Sequence, residues 1–254
     1  MAVRGIVGMP LDVRDTRRIL RDRGVGGRAM TVLASAADLL ERYAAGAREF
    51  PDSNLADAHL QRAILDRAIF VGANLRGAQL TRASLQKAVL RNAALERADL
   101  TRADLRLAVL NGANLQNANL EAATLPDAVL KTAQLSGTNL SEADLRSTDL
   151  RESNLSGARM ERACLRGAHL SGADLQRADL QGADLGAASV VGVNFDGANL
   201  CGADLRCRMM LYATFHEARY DRATQFPSGF DPESAGMTLV GTDEERDSGA
   251  LAVN

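Results

Sequence analysis

The sequence predicts an all-β solenoid, a chain that turns a corner every five residues, closed at its N-terminal end by a helix. Three observations carry this. First, 31 consecutive positions spaced by five, from Leu55 to Leu205, hold leucine in all cases but Phe70, Met160, Val190 and Phe195. Second, the position two residues before each is alanine, with only Ser53, Thr138, Thr148, Ser153 and Val193 as exceptions. Third, the remaining positions are mostly Asp, Asn, Arg, Gln, Ser and Gly. Self-similarity at a fixed period is the signature of a repeat architecture.

A period of five suits neither a helix at 3.6 nor a flat strand at 2.0. A helix would smear the leucines around its axis, and a flat strand would throw successive leucines to opposite faces. The pattern requires each leucine to point at one common axis, with a small residue beside it and polar residues facing water. Each coil of such a solenoid contacts only its neighbours and cannot bury its leucines alone.

Segments such as Ala73-Asn74-Leu75-Arg76-Gly77, Ala173-Asp174-Leu175 and Ala198-Asn199-Leu200-Cys201-Gly202 carry a pattern of small, Asp/Asn, Leu/Phe, polar, and often Gly. This resembles the pentapeptide-repeat family, over 48–225. The resemblance implies a right-handed quadrilateral β-helix, with four repeats or 20 residues per coil. Centre positions from Phe50 to Tyr220 then make close to nine coils. At about 4.8 Å per coil the rod is about 42 Å long. Its bore is filled by leucine and is not a channel.

The flanks differ. Residues 1–29 form an arginine-rich extension with Arg4, Arg14, Arg17, Arg18, Arg21, Arg23 and Arg28, broken by Gly24, Gly26 and Gly27. A short helix is expected near 16–23. Asp12, Asp15 and Asp22 offset part of the charge, which favours a solvated extension over a nucleic-acid arm. Residues 30–47 are assigned a capping helix. Ser35 and Asp38 suit its first turn, Leu33, Leu39, Leu40, Tyr43 and Ala44 its apolar face, and Gly46 its end. At the other end Arg208 falls on an inward small-residue position, and Phe226 comes one residue late. Residues 226–254 are read as a turn-rich cap followed by a disordered acidic tail from 233 onward.

Composition excludes several function classes. The formal net charge is −2, with 46% hydrophobic but only 4% aromatic residues, which gives no global attraction to nucleic acid or membrane. No segment reads as a membrane span. Gly5 to Leu11 is short and interrupted by Pro10, so no signal peptide is expected. Cys164, Cys201 and Cys207 fall on outward positions without metal-type spacing, which fits a reducing cytoplasm. His59, His169 and His216 lie on separate repeats as solvated side chains, and no serine has a positioned base. No catalytic residue, cofactor site or metal site is predicted, and the chain is not read as an enzyme.

The surface offers two candidate sites. Residues 20 apart should stack, and one column reads Ile69, Val89, Val109, Val129 before turning to Asp149, His169 and Ser189. Val71 and Leu107 widen it. Contiguous exposed apolar surface marks a contact, while β-branched residues also suit strand geometry by themselves. The second candidate is an acidic collar of Asp174, Asp179, Asp184, Asp196 and Asp204. Between 60 and 106 nine Lys/Arg face four acids, whereas between 171 and 205 five acids face Arg177 alone, so the rod is polarised.

The expected function is a non-catalytic protein–protein interaction scaffold, binding a protein partner or a second copy of itself through a β-helix face. The alternative comes from the resemblance: some members mimic B-DNA and bind DNA gyrase or topoisomerase IV. B-DNA carries a charge per about 1.7 Å, so a 42 Å mimic wants about 25 negative charges. Residues 51–225 hold 20 acids and 20 bases. Whole-length mimicry is disfavoured, and only the collar approaches the required density.

Overall fold

The computed structural model describes residues 35–241. Single-residue parallel bridges join positions 20 apart along almost the whole repeat region, from Glu49↔Ile69 to Asn199↔Arg219. They fall into four columns per coil. We call these faces one to four, beginning with Glu49/Ile69, Asn54/Asn74, His59/Gln79 and Ile64/Ser84 respectively. Each straight run is too short to form an extended strand. Among the described residues the one regular strand pair is β1 (Arg219–Tyr220) with β2 (Thr238–Leu239), parallel.

The repeat centred on Leu120 shows why the chain folds this way. It has five amide donors. Asn119 N–H reaches Ala98 O in the coil before, at 2.9 Å, and Leu120 N–H reaches Asn139 O in the coil after, at 2.7 Å. Ala122 N–H goes to Ser141 O and Ala123 N–H closes the corner onto Leu120 O. The fifth, Glu121 N–H, is answered by the Asn119 side-chain oxygen at 3.2 Å. An Asx turn of this kind is what Asp and Asn provide. It recurs at Asn74, Asp99, Asp104, Asn114, Asn139, Asp144, Asp149 and Asn154, and on through Asp204. The second corner residue takes a left-handed φ in nearly every repeat, as at Arg82 (58°) and Ala122 (52°), although most of these residues are not glycine. Inter-coil bonding holds them there.

Leucine and alanine fill the interior, and every centre from Leu75 to Leu205 is buried. Polar residues at the inward small position are satisfied internally: Thr138 and Thr148 donate to Leu115 O and Leu125 O, and Ser153 to Leu150 O. Aromatic centres cluster toward the ends, Phe50 stacking on Phe70 and Phe195 on Phe215. Phe226 and Phe230 extend the second stack into a closing cluster with Tyr220.

Helix α1 (Ala36–Ala44) lies on the first coil. The Ser35 side chain accepts from Asp38 N–H, and Gly46 follows the end with φ of 97°. Leu39 is fully buried in the common core, and Tyr43 donates to Asp66 O. The expected apolar face needs correction. Leu40 is 38% exposed and Ala44 is exposed, so the packed side is Ala36, Leu39 and Tyr43. Leu33 and the 1–29 extension lie outside the described residues.

Two C-terminal expectations also change. Arg208 does not point inward. Cys207 N–H bonds back to Leu205 O in a tight turn, and Arg208 N–H takes the Ala188 O normally reached one residue later. This brings Cys207, the expected outward residue, against the core and leaves Arg208 exposed. The late Phe226 is a one-residue insertion: Asp204 bridges Gln225, 21 positions on, and Asp221 gathers the extra turn by accepting from Ala223, Thr224 and Gly202 amides. Residues 233–240 are not a loose tail either. Met237 is buried, and β2 adds a last rung on β1. Positions 242–254 lie outside the described residues.

Leu120→Ala is expected to cost about 2–5 kcal/mol, and Leu120→Asp more, because it buries an unpaired charge. Asn119→Ala should cost about 1–2 kcal/mol, since Asn119 serves a corner amide and also bonds Asn139 and Thr101. Urea denaturation of the three variants measures this, and equal losses at 119 and 120 would contradict the inward/outward assignment. Acid unfolding gives a second check. Hydrogen bonding from Arg146 holds the Asp144 carboxyl below its usual range against the effect of burial, and Arg206 does the same for Asp204. A depressed carboxyl stabilises the fold above its unfolded value and loses that contribution as pH falls through the folded one. Wild type should therefore exceed Asp144→Asn in melting temperature at pH 7, and the gap should begin to narrow as the pH falls below about 4 and close only below the depressed folded value. A gap independent of pH would show that the ion pair contributes nothing.

Candidate functional site

The predicted apolar column is brought together. Ile69, Val89, Val109 and Val129 bridge one another in succession on face one, and the column continues to Asp149, His169, Ser189 and Met209. All four apolar residues are half-buried, held partly by the coils on either side. Val71 sits at the corner after this face and Leu107 at the corner before it, with Leu107 47% exposed. These six residues share one surface over four coils. At Asp149 the column returns to an acid, which accepts Arg151 N–H and ion-pairs with that guanidinium at 2.6 Å. The aliphatic residues lack such an acceptor, so the Asx turn seen in many repeats is missing along this stretch.

The acidic collar is dispersed. Asp174, Asp179 and Asp184 lie on faces two, three and four of one coil, Asp204 on face four of the next, and Asp196 at a corner. Their oxygens are turned into the fold. Asp174, Asp179 and Asp184 accept the amides of Gln176, Gln181 and Gly186, and Asp196 accepts from His216 N–H. Arg166 pairs with Asp184 at 3.3 Å and Arg206 with Asp204 at 2.6 Å. The collar's charge is thus partly cancelled locally.

The cysteines and histidines form no reactive group. Cys207 is mostly buried and donates to Leu185 O, and burial with the nearby Asp204 charge pushes its thiol up to about 12. Burial also raises Cys201. Such thiols are poor nucleophiles at neutral pH. His59 lies near Gln61, and His216 lies 3.7 Å from Glu217. Among the described residues no group of three or more His, Cys, Asp or Glu could hold a metal ion, and no helix is long and apolar enough to cross a membrane.

Sequence reasoning missed a further exposed apolar group. Just past the tight turn at Cys207, Met209, Leu211 and Tyr212 stand on the surface, with exposures of 47%, 57% and 86%. The broken repeat at Arg208 was its only signal. A basic corner on the opposite side, built by Arg62, Arg82 and Arg102, lines an open groove of about 360 Å³ together with Gln61, Thr81, Thr101 and Glu121.

Comparison with known proteins follows this geometry. The family model described as pentapeptide repeats matches in eight copies, across 53–92, 88–127, 113–151, 128–167 and 168–206. Among solved structures the chain is similar to HetL, a pentapeptide repeat protein involved in heterocyst differentiation regulation from the cyanobacterium Nostoc sp. strain PCC 7120. The identity is 29% over 80% of this chain and 92% of that one, with a TM-score of 0.36. It is also similar to QnrB1, a plasmid-mediated fluoroquinolone resistance protein, at 16% identity over 82% of this chain and all of that one, with a TM-score of 0.46. A search of curated proteins finds no match. The five-residue period and the family match agree: this chain belongs to the pentapeptide-repeat family, whose members fold as right-handed quadrilateral β-helices.

Proposed function

We propose that the protein is a non-catalytic interaction scaffold that binds a protein partner, or a second copy of itself, through face one. The observation that carries this is the Ile69–Val89–Val109–Val129 column with its flanks Val71 and Leu107. In many other repeats an Asp or Asn at this position answers a corner amide. Four successive coils forgo that acceptor and present aliphatic surface instead. Folding gains little from this, because the side chains remain only half-buried; a covering partner would complete their burial. The three unpaired thiols are compatible with a reducing compartment on this reading.

The gyrase-directed DNA mimic is the weaker reading. The repeat region is neutral overall, and Arg166 and Arg206 cancel part of the one acidic zone.

The test is Val89→Lys combined with Val109→Lys. Both side chains can reach water from a free rod, so circular dichroism should be preserved and melting should fall by less than about 1 kcal/mol equivalent. In a covered interface the same charges would be buried, which is costly. Light scattering should then show a loss of self-association, or affinity capture the loss of a wild-type partner. Asp174→Asn with Asp184→Asn is the control: it should leave that interaction unchanged. A lysine variant that keeps every wild-type interaction would refute the reading, and gyrase inhibition abolished by the Asn pair alone would establish the alternative.

A further inference from the structure

The N-terminal coils carry a second surface that the apolar column does not explain. Arg62, Arg82 and Arg102 occupy the same corner, between faces three and four, in three successive coils, all exposed and all at left-handed φ of 56–58°. Several other arginines of the rod are neutralised by a carboxylate. Arg106, Arg146, Arg151 and Arg206 are clamped by the Asp two residues before, Arg76 by Glu96, and Arg162, further along this same corner column, by Glu142. None of the three has an ion-pair partner among the described residues. The carboxylate on the adjoining face, Asp99, is occupied by the hydroxyls of Thr81 and Thr101 at 2.7 and 2.6 Å. Stacking like charges at coil spacing is unfavourable for the rod alone. The cost is removed by an anionic ligand.

We propose that this corner is a docking groove for the acidic face of a partner helix, one that presents carboxylates at i, i+3 or i+4, and i+7. Spacing selects the helix. Three coils place the arginine positions about 4.8 Å apart and about 9.6 Å end to end. Residues i to i+7 of an α-helix span about 10.5 Å in two steps of about 4.5–6 Å. Alternate residues of an extended strand step by about 6.8 Å and fall out of register by the third charge. Guanidinium groups match carboxylates in bidentate geometry. A nucleic-acid strand fits less well. Single strands are held over about 4–16 nucleotides with aromatic stacking platforms, whereas this groove spans three coils and is lined by Gln61, Thr81, Thr101 and Glu121, with no aromatic residue. Glu121 sets the end of the groove. Its carboxylate, touched by Asn139 Nδ2, stands where a fourth arginine-bound acid would lie. The site is independent of face one, from which face four separates it.

Fluorescence anisotropy of two labelled, staple-constrained alanine-based helices of identical composition tests the proposal with the full chain. One carries three glutamates at i, i+3 and i+7; the other spreads them around the helix. The one-faced peptide should bind at least about fivefold tighter at low salt, and the preference should shrink as salt is raised. Arg62→Gln/Arg82→Gln/Arg102→Gln should lose about tenfold or more of that affinity with unchanged melting, because all three side chains are exposed. Glu121→Gln should gain affinity for a longer peptide with a fourth glutamate at i+11. Equal binding of the two isomers would overturn the proposal, leaving only net-charge attraction. So would an unaffected triple variant, or tighter binding of an unstructured oligonucleotide through the same arginines.

Discussion

One constraint governs the rod: each five-residue repeat must answer five backbone amides while turning a corner. Neighbouring coils take three, and the corner's own carbonyl takes a fourth. The last is answered in many repeats by Asp or Asn before the centre, as Asn119 does for Glu121. Because an unpaired amide is costly wherever water is excluded, this single requirement ties sequence pattern to backbone path. It also gives many of the carboxylates here a structural task. Asp104, Asp144, Asp149 and Asp204 hold a turn and clamp an arginine two residues on, and none is free to serve as a base.

The ends follow from the same requirement by its failure. A coil with no neighbour leaves leucines and ladder groups exposed. At the N-terminal end Leu39 and Tyr43 of α1 cover the first coil. At the C-terminal end larger aromatic residues replace leucine and stack across the bore, and β2 supplies a final rung. The irregular turn at Cys207 and the insertion gathered by Asp221 are both local, since inter-coil bonds on either side restore the register.

Much of this was legible in the sequence. The leucine period fixes the inward positions directly, and Ser35, Asp38 and Gly46 mark the helix ends. What was not legible has a physical reason in each case. Arg208 sits on an inward position by counting, but a turn shortened by one bond lets the smaller Cys207 take the site. Leu40 and Ala44 fit an apolar helical face, yet the coil beneath α1 is narrow and buries only the Leu39 side. Non-glycine residues at left-handed φ are invisible to propensity, because the inter-coil bonds that force Arg82 or Ala122 there are long-range. The apolar column was found because stacking at 20 is sequence arithmetic. Charge counting alone does not show that Asp184 and Asp196 turn oxygens toward backbone amides.

Such a fold separates stability from recognition more sharply than a globular domain does. Two of every five positions specify the core, and a third closes the turn. The corner positions then vary freely, and each variation is repeated in space at coil spacing. A residue type recurring every 20 positions becomes a line on the surface, whether aliphatic on face one or guanidinium at the Arg62 corner. Lines of this kind suit partners that are themselves periodic, such as a helix face or another sheet. They suit a small substrate poorly, because successive coils build no enclosed pocket. On the reading proposed for this chain, two such lines matter for recognition: the aliphatic column of face one and the arginines of the Arg62 corner.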